Sequence, residues 1–391
     1  MVSVSSTRVL GPRFELLDYL RFLAAFAVLA YHWLYRGIET GMMSTVSYSA
    51  ASPFVAYGYL GVDLFFMISG FVIAISAHGR AASDFAVRRG VRLYPAFWAA
   101  MLLTAAVTAL WGAPEMRVTL IQVIANLTMA PNVFDQPLVD GVYWTLLNEL
   151  IFYGMVFLFL LLRIGKWLDA FFPAWALLMV GVLHLAPGLS SRPLLGGLFS
   201  FFAAGAIIST IHRRGWDWWQ AIGLLASFYV AIRYVITDVD RINDMGGPFE
   251  QSTLITCIVV ASFFVVMLAQ ILPPVRDWRL PQSRLLGALT YPLYLLHAHL
   301  AFIFFNHFAN EDIKWLMYSL ALVLVLALAY ALYQFVEVKP KRFWVRAFEL
   351  VIGTPIRALE QLGDRVSRRR ALRAAQDSSA SSTALPHTQQ R

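Results

Sequence analysis

The chain has few charged residues and almost no cysteine. Only 14% of its 391 residues are Asp, Glu, Lys or Arg, and 59% are hydrophobic, whereas soluble domains carry about a quarter charged residues. This composition excludes an ordinary soluble enzyme and is typical of a protein with several membrane spans. The single cysteine, Cys257, excludes an intrachain disulfide. No cleavable signal peptide is evident, because the first apolar segment is long and contains Arg21.

The motifs of many soluble enzymes are absent as well. The sequence has no HExxH, no CxxC, no P-loop and no GxGxxG after a strand. Because no metal-ligand spacing is present, we expect no metal. The net charge of +8 lies mostly in short loops between apolar segments, so we expect no nucleic-acid partner. Any chemistry is therefore expected inside the membrane bundle.

Ten apolar segments, each long enough to cross a bilayer as a helix, make up most of the chain. They are 15–35, 58–78, 93–111, 141–162, 169–186, 194–211, 217–236, 251–272, 285–308 and 315–336. We predict an all-α fold, a polytopic membrane helix bundle of about ten transmembrane helices. Alternate loops are rich in arginine, and the positive-inside rule then places both termini in the cytoplasm.

The same pattern divides the chain into four parts. We expect residues 1–14 to form a cytoplasmic N-terminal segment and residues 15–340 to form the membrane domain. Residues 341–367 have the composition of a basic amphipathic helix that lies on the anionic inner leaflet. Residues 368–391 are polar, which predicts a disordered tail.

The first span carries ionisable residues on one face. Arg21 and His32 are eleven residues apart, which on a helix corresponds to a net rotation of about 20° and a rise of about 16 Å. Ionisable residues within a span usually face a protein interior or a water-filled cavity. The shared face therefore predicts a polar track along this helix. The alternative is that Arg21 and His32 reach the two membrane interfaces.

Two carboxylates also lie within predicted spans. Asp63 is near the outer end of the second span, and Glu149 is about 12 Å inside the fourth by helical rise. A carboxylate at such a depth needs a partner or a wet cavity. In the second span, Ser69-Gly70 predicts close helix packing.

An arginine cluster precedes the third span on its inner side. Arg89 and Arg92 are three residues apart, so on a helix they share a face, and arginine binds phosphate through paired donors. The alternative is that these arginines are ordinary positive charge in a cytoplasmic loop.

The ninth span contains a proline and two histidines. Pro292 predicts a kink, and His297 lies near mid-membrane. His299 is expected to point to a different side from His297.

These features together suit a phosphate-bearing donor that binds from inside and a proton transfer near the outer face. A histidine can remove the proton of a hydroxyl, and a nearby carboxylate can orient it. Five segments in this order resemble acyltransferase family 3, the integral membrane O-acyltransferases, over about residues 14–340. They are LDYLRFLAAFAVLAYHW, GVDLFFMISGFVI, RRGVRLYPAFW, VYWTLLNELIFY and LTYPLYLLH.

The resemblance implies ten core helices, acyl-CoA used from the cytoplasm, and an acceptor hydroxyl at the outer face. It implies that Arg21 and His32 form the essential pair of the first helix. Arg89 and Arg92 match the RxxR pair that is expected to hold the CoA phosphates, and we expect Arg88 to assist them.

The acidic position of the family's W-S-L-x-x-E segment corresponds to Glu149, and Thr145 replaces the usual serine. Asp63 and Glu149 are expected to tune His32 or to bind acceptor hydroxyls. Further contacts with the acceptor are expected from Trp144, Tyr291 and His297. An interfacial position for Trp144 and a structural hydrogen bond for His297 remain alternatives.

The sequence thus predicts an O-acyltransferase of the bacterial inner membrane that uses acyl-CoA, with acetyl-CoA expected, and modifies a surface or exported glycan or glycolipid. His32 is either the base that removes the hydroxyl proton or an acyl relay. Transfer of another acyl group such as succinyl, or transfer to a small-molecule or lipid acceptor, would use the same mechanism. A glycan or lipid transporter is the alternative from another class, but no internal repeat is evident. The oligomeric state is left open.

Overall fold

The computed structural model describes residues 14–363 and Arg365. Over these residues the regular structure is entirely helical. The longer helices are α1 (Glu15–Tyr31), α2 (Gly61–Ala77), α3 (Ala82–Trp111), α4 (Leu120–Asn126), α5 (Trp144–Leu161), α6 (Leu168–Leu185), α7 (Phe199–Arg214), α8 (Trp218–Asp244), α9 (Thr253–Ala269), α10 (Ser283–Leu296), α11 (His299–Phe308), α12 (Lys314–Leu332) and α13 (Lys341–Phe348).

Short helical turns join or extend these helices. Single α-turns occur at Gly37–Glu39, Ser52–Val55 and Pro273–Arg276. The 3₁₀ turns are Ala56–Leu60, Pro114–Met116, Pro131–Phe134, Gly141–Tyr143, Gly165–Trp167 and Pro187–Leu189. The π-helical turns are His32–Arg36, Tyr333–Val338 and Glu349–Gly353.

Six helical stretches of the described chain are long and apolar enough to cross a membrane. They are Ser52–Ala77, Ala82–Trp111, Gly141–Leu161, Gly165–Leu185, Trp218–Asp244 and Lys314–Val338. A seventh is added if α10 and α11 are counted as one bent span. The all-helical bundle of apolar helices is therefore confirmed for residues 14–363, whereas the count of ten spans stays a prediction.

Glycines bring the central helices α2 and α7 close together. An added Cβ at Gly70 would collide with the backbone of Phe202, and one at Gly205 would collide with the backbone of Met67. The predicted close packing at Ser69-Gly70 is thus confirmed for Gly70. Ser69 has a different environment, since its hydroxyl donates to Glu149 Oε1 at 3.1 Å.

The arginine-rich loops meet at one end of the bundle, which we call the basic end. Arg163 donates to the backbone carbonyl of Glu360 at 2.5 Å, and the Glu360 carboxylate accepts from the Ser83 hydroxyl at 2.8 Å. Nearby loops are joined by Arg213, which lies 3.1 Å from His78. The opposite end contains His32, and we call it the histidine end.

The C-terminal segment packs against the basic end. The helix predicted at 341–367 is observed as α13, a π turn and a further helix over 354–363. Phe348 lies against Gly90 of α3, where an added Cβ would collide with its ring, and stacks on Trp98 with ring centroids 6.1 Å apart. The predicted disordered tail at 368–391 and nearly all of the predicted segment 1–14 lie outside the described residues.

The break between α10 and α11 corrects one sequence prediction. The two helices are bent by 66° at His297 and Ala298, whereas Pro292 lies inside α10. Pro292 is therefore not the position of the main bend. His299 was predicted to point to a different side from His297; it pairs with Asp140, whereas His297 lies against His32. After the bend, His299 lines the same cavity as His32.

Candidate active site

Four cavities follow one another through the bundle from the basic end to the histidine end. They share wall residues: Arg89 and Arg92 line the first and second, Arg21 and Glu149 the second and third, and Tyr294 the third and fourth. The row therefore connects the predicted arginine cluster with the predicted histidine.

The first cavity, the basic cavity, has a volume of about 690 Å³. Its described walls carry more cations than carboxylates: Arg80, Arg88, Arg89, Arg92 and Lys341 against Asp84, Glu337 and Glu349. Arg92 forms an ion pair with Glu337 at 3.0 Å. Arg88 pairs with Asp84 at 3.3 Å. The excess of positive charge suits an anionic ligand with several phosphates.

The second cavity, the arginine–glutamate cavity, holds about 240 Å³ between α1, α2, α3, α5 and α10. Arg89 lies over the ring of Tyr153, with its guanidinium carbon 5.6 Å from the centroid. Its Nε is buried and has no hydrogen-bond partner within the described chain. Glu149 accepts from the Tyr153 hydroxyl at 2.6 Å and from Ser69 at 3.1 Å. These contacts fix Glu149 opposite Arg21 in the cavity wall.

The third cavity, the narrow cavity, has a volume of only about 60 Å³. Aromatic side chains constrict it: Phe65, Phe66, Tyr291 and Tyr294. Tyr291 is held by its hydroxyl, which donates to the Leu93 carbonyl at 3.0 Å. The constriction therefore restricts passage to a thin group.

The fourth cavity, the histidine cavity, holds about 440 Å³ at the histidine end. His32, Asp63 and Trp144 line it together with Asp140 and His299. Asp63 is 5% exposed, and its carboxylate makes no hydrogen bond or ion pair with any described residue. A buried carboxylate without a partner is costly unless a ligand or water satisfies it. Asp63 is therefore available to bind a hydroxyl in this cavity.

Hydrogen bonds assign the protonated nitrogen of each neutral histidine ring. His297 Nδ1 lies 2.7 Å from the Tyr294 carbonyl, which requires a hydrogen on Nδ1 and leaves Nε2 as an acceptor. His32 Nδ1 lies 2.8 Å from the Val28 carbonyl and 3.1 Å from His297 Nε2, so it also carries the hydrogen. His32 Nε2 therefore keeps the free lone pair. The π turn that begins at His32 is a feature often found at functional sites.

A second histidine pairs with a carboxylate in the same cavity. His299 Nδ1 lies 2.7 Å from Asp140 Oδ1, and the His299 amide donates to Asp140 Oδ2 at 3.0 Å. Burial alone would raise the pKa of Asp140, but His299 and the Val142 amide outweigh it and lower the pKa to about 2. Asp140 is therefore a carboxylate at neutral pH and fixes the start of α11 beside the start of α5.

The sequence-predicted residues fall into two groups. Asp63, Trp144 and His297 lie around His32 at the histidine end, where His297 contacts His32 directly. The second group lies toward the basic end and comprises Arg21, Arg88, Arg89, Arg92, Glu149 and Tyr291. The structure thus separates Glu149 from His32. Asp140 was not predicted, because its role depends on the loop before α5 and on the bend at α11.

The family model described as an acyltransferase domain matches residues 14–334, which is most of the chain. The chain belongs to acyltransferase family 3. As a member of that family it is a membrane enzyme that transfers acyl groups.

One curated relative supports this assignment. The exopolysaccharide production protein ExoZ of Rhizobium meliloti (strain 1021) is 28% identical over 261 residues, which cover 61% of this chain and 75% of the relative. No solved structure matches the chain. The acyltransferase match ends at 334, so Glu337, Lys341 and Glu349 of the basic cavity come from beyond it.

Proposed function

We propose that this acyltransferase moves an acyl group, acetyl in the first instance, from cytoplasmic acyl-CoA to a hydroxyl of a surface or exported carbohydrate. The observation that carries this proposal is the row of four cavities with shared walls. It joins a cavity rich in cations to a cavity that holds an available histidine nitrogen. A donor held at one end could present its reactive group at the other.

The residues of the basic end fit the phosphates of acyl-CoA. Arg89 has a buried Nε without a partner among the described residues, and Lys341 adds a positive charge from α13. Arginine binds phosphate through paired donors, whereas lysine acts as a point charge. Acyl-CoA would supply an activated acyl group as a thioester. Arg21, beside Glu149, would line the path of its long arm.

The histidine end supplies proton transfer. His32 accepts the proton of the acceptor hydroxyl through Nε2, while its Nδ1–H stays bonded to Val28 and His297. The hydroxyl oxygen bonds to the acyl carbon, the thioester C–S bond breaks, and the CoA thiolate that leaves takes up a proton. Asp63 accepts a hydrogen bond from a neighbouring hydroxyl of the acceptor. Asp140 stabilises the positive charge that develops in this cavity, because it stays ionised.

Two further observations support the choice of substrates. The acyl group is the leading end of the donor and would have to pass the narrow cavity of about 60 Å³, which favours a short group such as acetyl. The relative named as an exopolysaccharide production protein supports a carbohydrate acceptor. The gathering of arginine-rich loops at the basic end supports a cytoplasmic position for that end. We further propose ten spans, both termini in the cytoplasm and a bacterial inner-membrane location.

Mass spectrometry of surface and exported glycans tests this function. A deletion strain should still export its glycan, which should lack the acyl group found on the glycan of the parent. The parent gene should restore the group, and a matched gene that encodes His32→Ala should not. Loss of the glycan itself would instead indicate a transporter, and unchanged acylation of all glycans would reject the proposed acceptor class.

A further inference from the structure

A side pocket of about 330 Å³ opens beside the histidine cavity and shares Leu198 and Tyr234 with it. Its described lining carries two arginines, Arg192 and Arg233, and no carboxylate. It also presents the hydroxyl-bearing residues Ser190, Ser191 and Thr237. This lining suits a polar anionic group, and the volume is in the range of small-ligand sites.

The arginines of the side pocket differ from those of the histidine cavity. Within the described chain the guanidinium groups of Arg192 and Arg233 form neither an ion pair nor a hydrogen bond. In the histidine cavity, by contrast, Arg36 pairs with Glu39 and Arg241 pairs with Asp238, each at 2.5 Å. The side pocket therefore retains a positive charge that the neighbouring cavity has neutralised.

Arg233 lies on a helix long enough to cross the membrane. It is fifteen residues after Trp218, at the start of α8, which corresponds to a rise of about 22 Å. Thr237, four residues later, lies on the same face of α8 and also lines the side pocket. Tyr234 lines both cavities, and Asp238 lines the histidine cavity. Arg233 is exposed and lines the side pocket, so its charge is available to a ligand there.

The loop that carries Arg192 is held in place by the bundle. Trp175 Nε1 of α6 donates to the Leu194 carbonyl at 2.6 Å. Gly197 lies directly against Tyr234, because an added Cβ would collide with that side chain. Arg192 is therefore presented from an ordered turn, opposite the face of α8 that carries Arg233.

We propose that the side pocket binds a carboxylate or phosphate substituent of the carbohydrate acceptor, while a hydroxyl of the same molecule lies beside His32. This inference rests on the proposed function and specifies its acceptor as an anionic carbohydrate. Two arginines with free guanidinium groups bind an oxyanion through charge-assisted hydrogen bonds. The shared wall of the two cavities allows one acceptor to occupy both.

Binding of two matched sugars tests the side pocket without any acyl transfer. D-glucuronate and D-glucose differ in the carboxylate, so titration of the purified full-length protein in neutral detergent isolates its contribution. Glucuronate should bind more tightly than glucose. The double variant Arg192→Gln/Arg233→Gln should weaken glucuronate binding about tenfold or more, since at least one charged hydrogen bond is lost. Inorganic phosphate should compete with glucuronate in the parent.

Arg117→Gln is the matched control. Arg117 is exposed on the loop before α4 and lines none of the five cavities described above, so its neutralisation should leave glucuronate binding unchanged. Thermal unfolding of each variant establishes that it is folded. Equal affinity for the two sugars, or equal glucuronate binding by the double variant and the parent, would overturn the proposal.

A second arm separates the acceptor from a lipid headgroup. The titration is repeated in nanodiscs of phosphatidylcholine and in nanodiscs that also contain phosphatidylglycerol. Glucuronate binding that persists in both supports an acceptor site, whereas its loss with phosphatidylglycerol would assign the arginines to lipid and overturn the proposal. Because this test measures binding alone, its outcome is independent of the glycan analysis that tests acyl transfer.

Discussion

The two ends of the cavity row use charge in opposite ways. The described walls of the basic cavity carry five cations and three carboxylates, whereas those of the histidine cavity carry two arginines and three carboxylates beside two histidines. The first arrangement attracts an anion. The second places the ionised Asp140 near the histidines, where its negative charge favours a proton on the ring. The difference indicates that donor binding and proton transfer are separate tasks, and the following substitutions should affect them separately.

The largest effect is expected at His32. His32→Ala removes the nitrogen with the free lone pair, so the rate of acyl transfer should fall about 10²–10⁴-fold. Binding of acyl-CoA should be unchanged, because the basic cavity lies at the other end of the row. Acylated product per folded protein measures the first effect, and titration with acyl-CoA measures the second. Near-parental turnover would leave His32 with a packing role only.

The arginine pair should give the reverse result. Arg89→Ala or Arg92→Ala should each weaken acyl-CoA binding by about 1.5–3 kcal/mol, the usual contribution of a charged hydrogen bond. Lysine should substitute poorly, because it lacks the paired donors of arginine. Arg88→Ala is the comparison on the same helix and should cost less, since Arg88 is exposed and paired with Asp84. Unaltered donor affinity in the double variant would move the donor site elsewhere.

A smaller effect is expected at His297, which acts through His32. His297→Leu removes the acceptor for His32 Nδ1–H, while the bond to the Val28 carbonyl remains, so turnover should fall about 3- to 10-fold. His297→Gln retains an acceptor oxygen and should recover part of the loss. The change should appear in kcat, with KM for the donor unaltered. A KM effect, or no recovery with Gln, would indicate that His297 serves packing.

The smallest effect is expected at Lys341, beyond the end of the family match. Lys341→Gln should weaken acyl-CoA binding by about 0.5–1 kcal/mol, because an exposed charge pair contributes little. Arg342→Gln is its control, since Arg342 neighbours it on α13 but does not line the basic cavity. Titration of both variants with acyl-CoA measures this difference in affinity. Equal affinities would exclude the start of α13 from the donor site.

Periodicity predicted the parts of the site that lie on unbroken helices. Helical spacing assigned Arg21 and His32 to one face. The helix α1 is continuous from Glu15 to Tyr31, His32 is the next residue, and both side chains line the cavity row. Arg89 and Arg92 likewise share a face of α3 and both line the basic cavity. A regular helix fixes such relations, so the sequence alone was sufficient for them.

Features that depend on helix ends could not be predicted in this way. The bend at Ala298 depends on packing and is not encoded by Pro292, so the position of His299 in the same cavity as His32 was not predicted. Arg233 lay near the end of the predicted span 217–236, whereas α8 continues to Asp244. Ser69 was interpreted as a packing residue. Its hydrogen bond to Glu149 joins two helices that are distant in sequence, so helical spacing alone could not predict it.

Acyl transfer across a membrane tests the central claim most directly. Radiolabelled acetyl-CoA would be placed in one compartment of proteoliposomes. The host's own deacylated surface glycan would be placed either in the other compartment or in the same one. The cavity row predicts labelled glycan only when donor and acceptor are on opposite sides, whichever way the protein is inserted. Equal labelling with both substrates on one side, and none across the membrane, would contradict a path through the bundle.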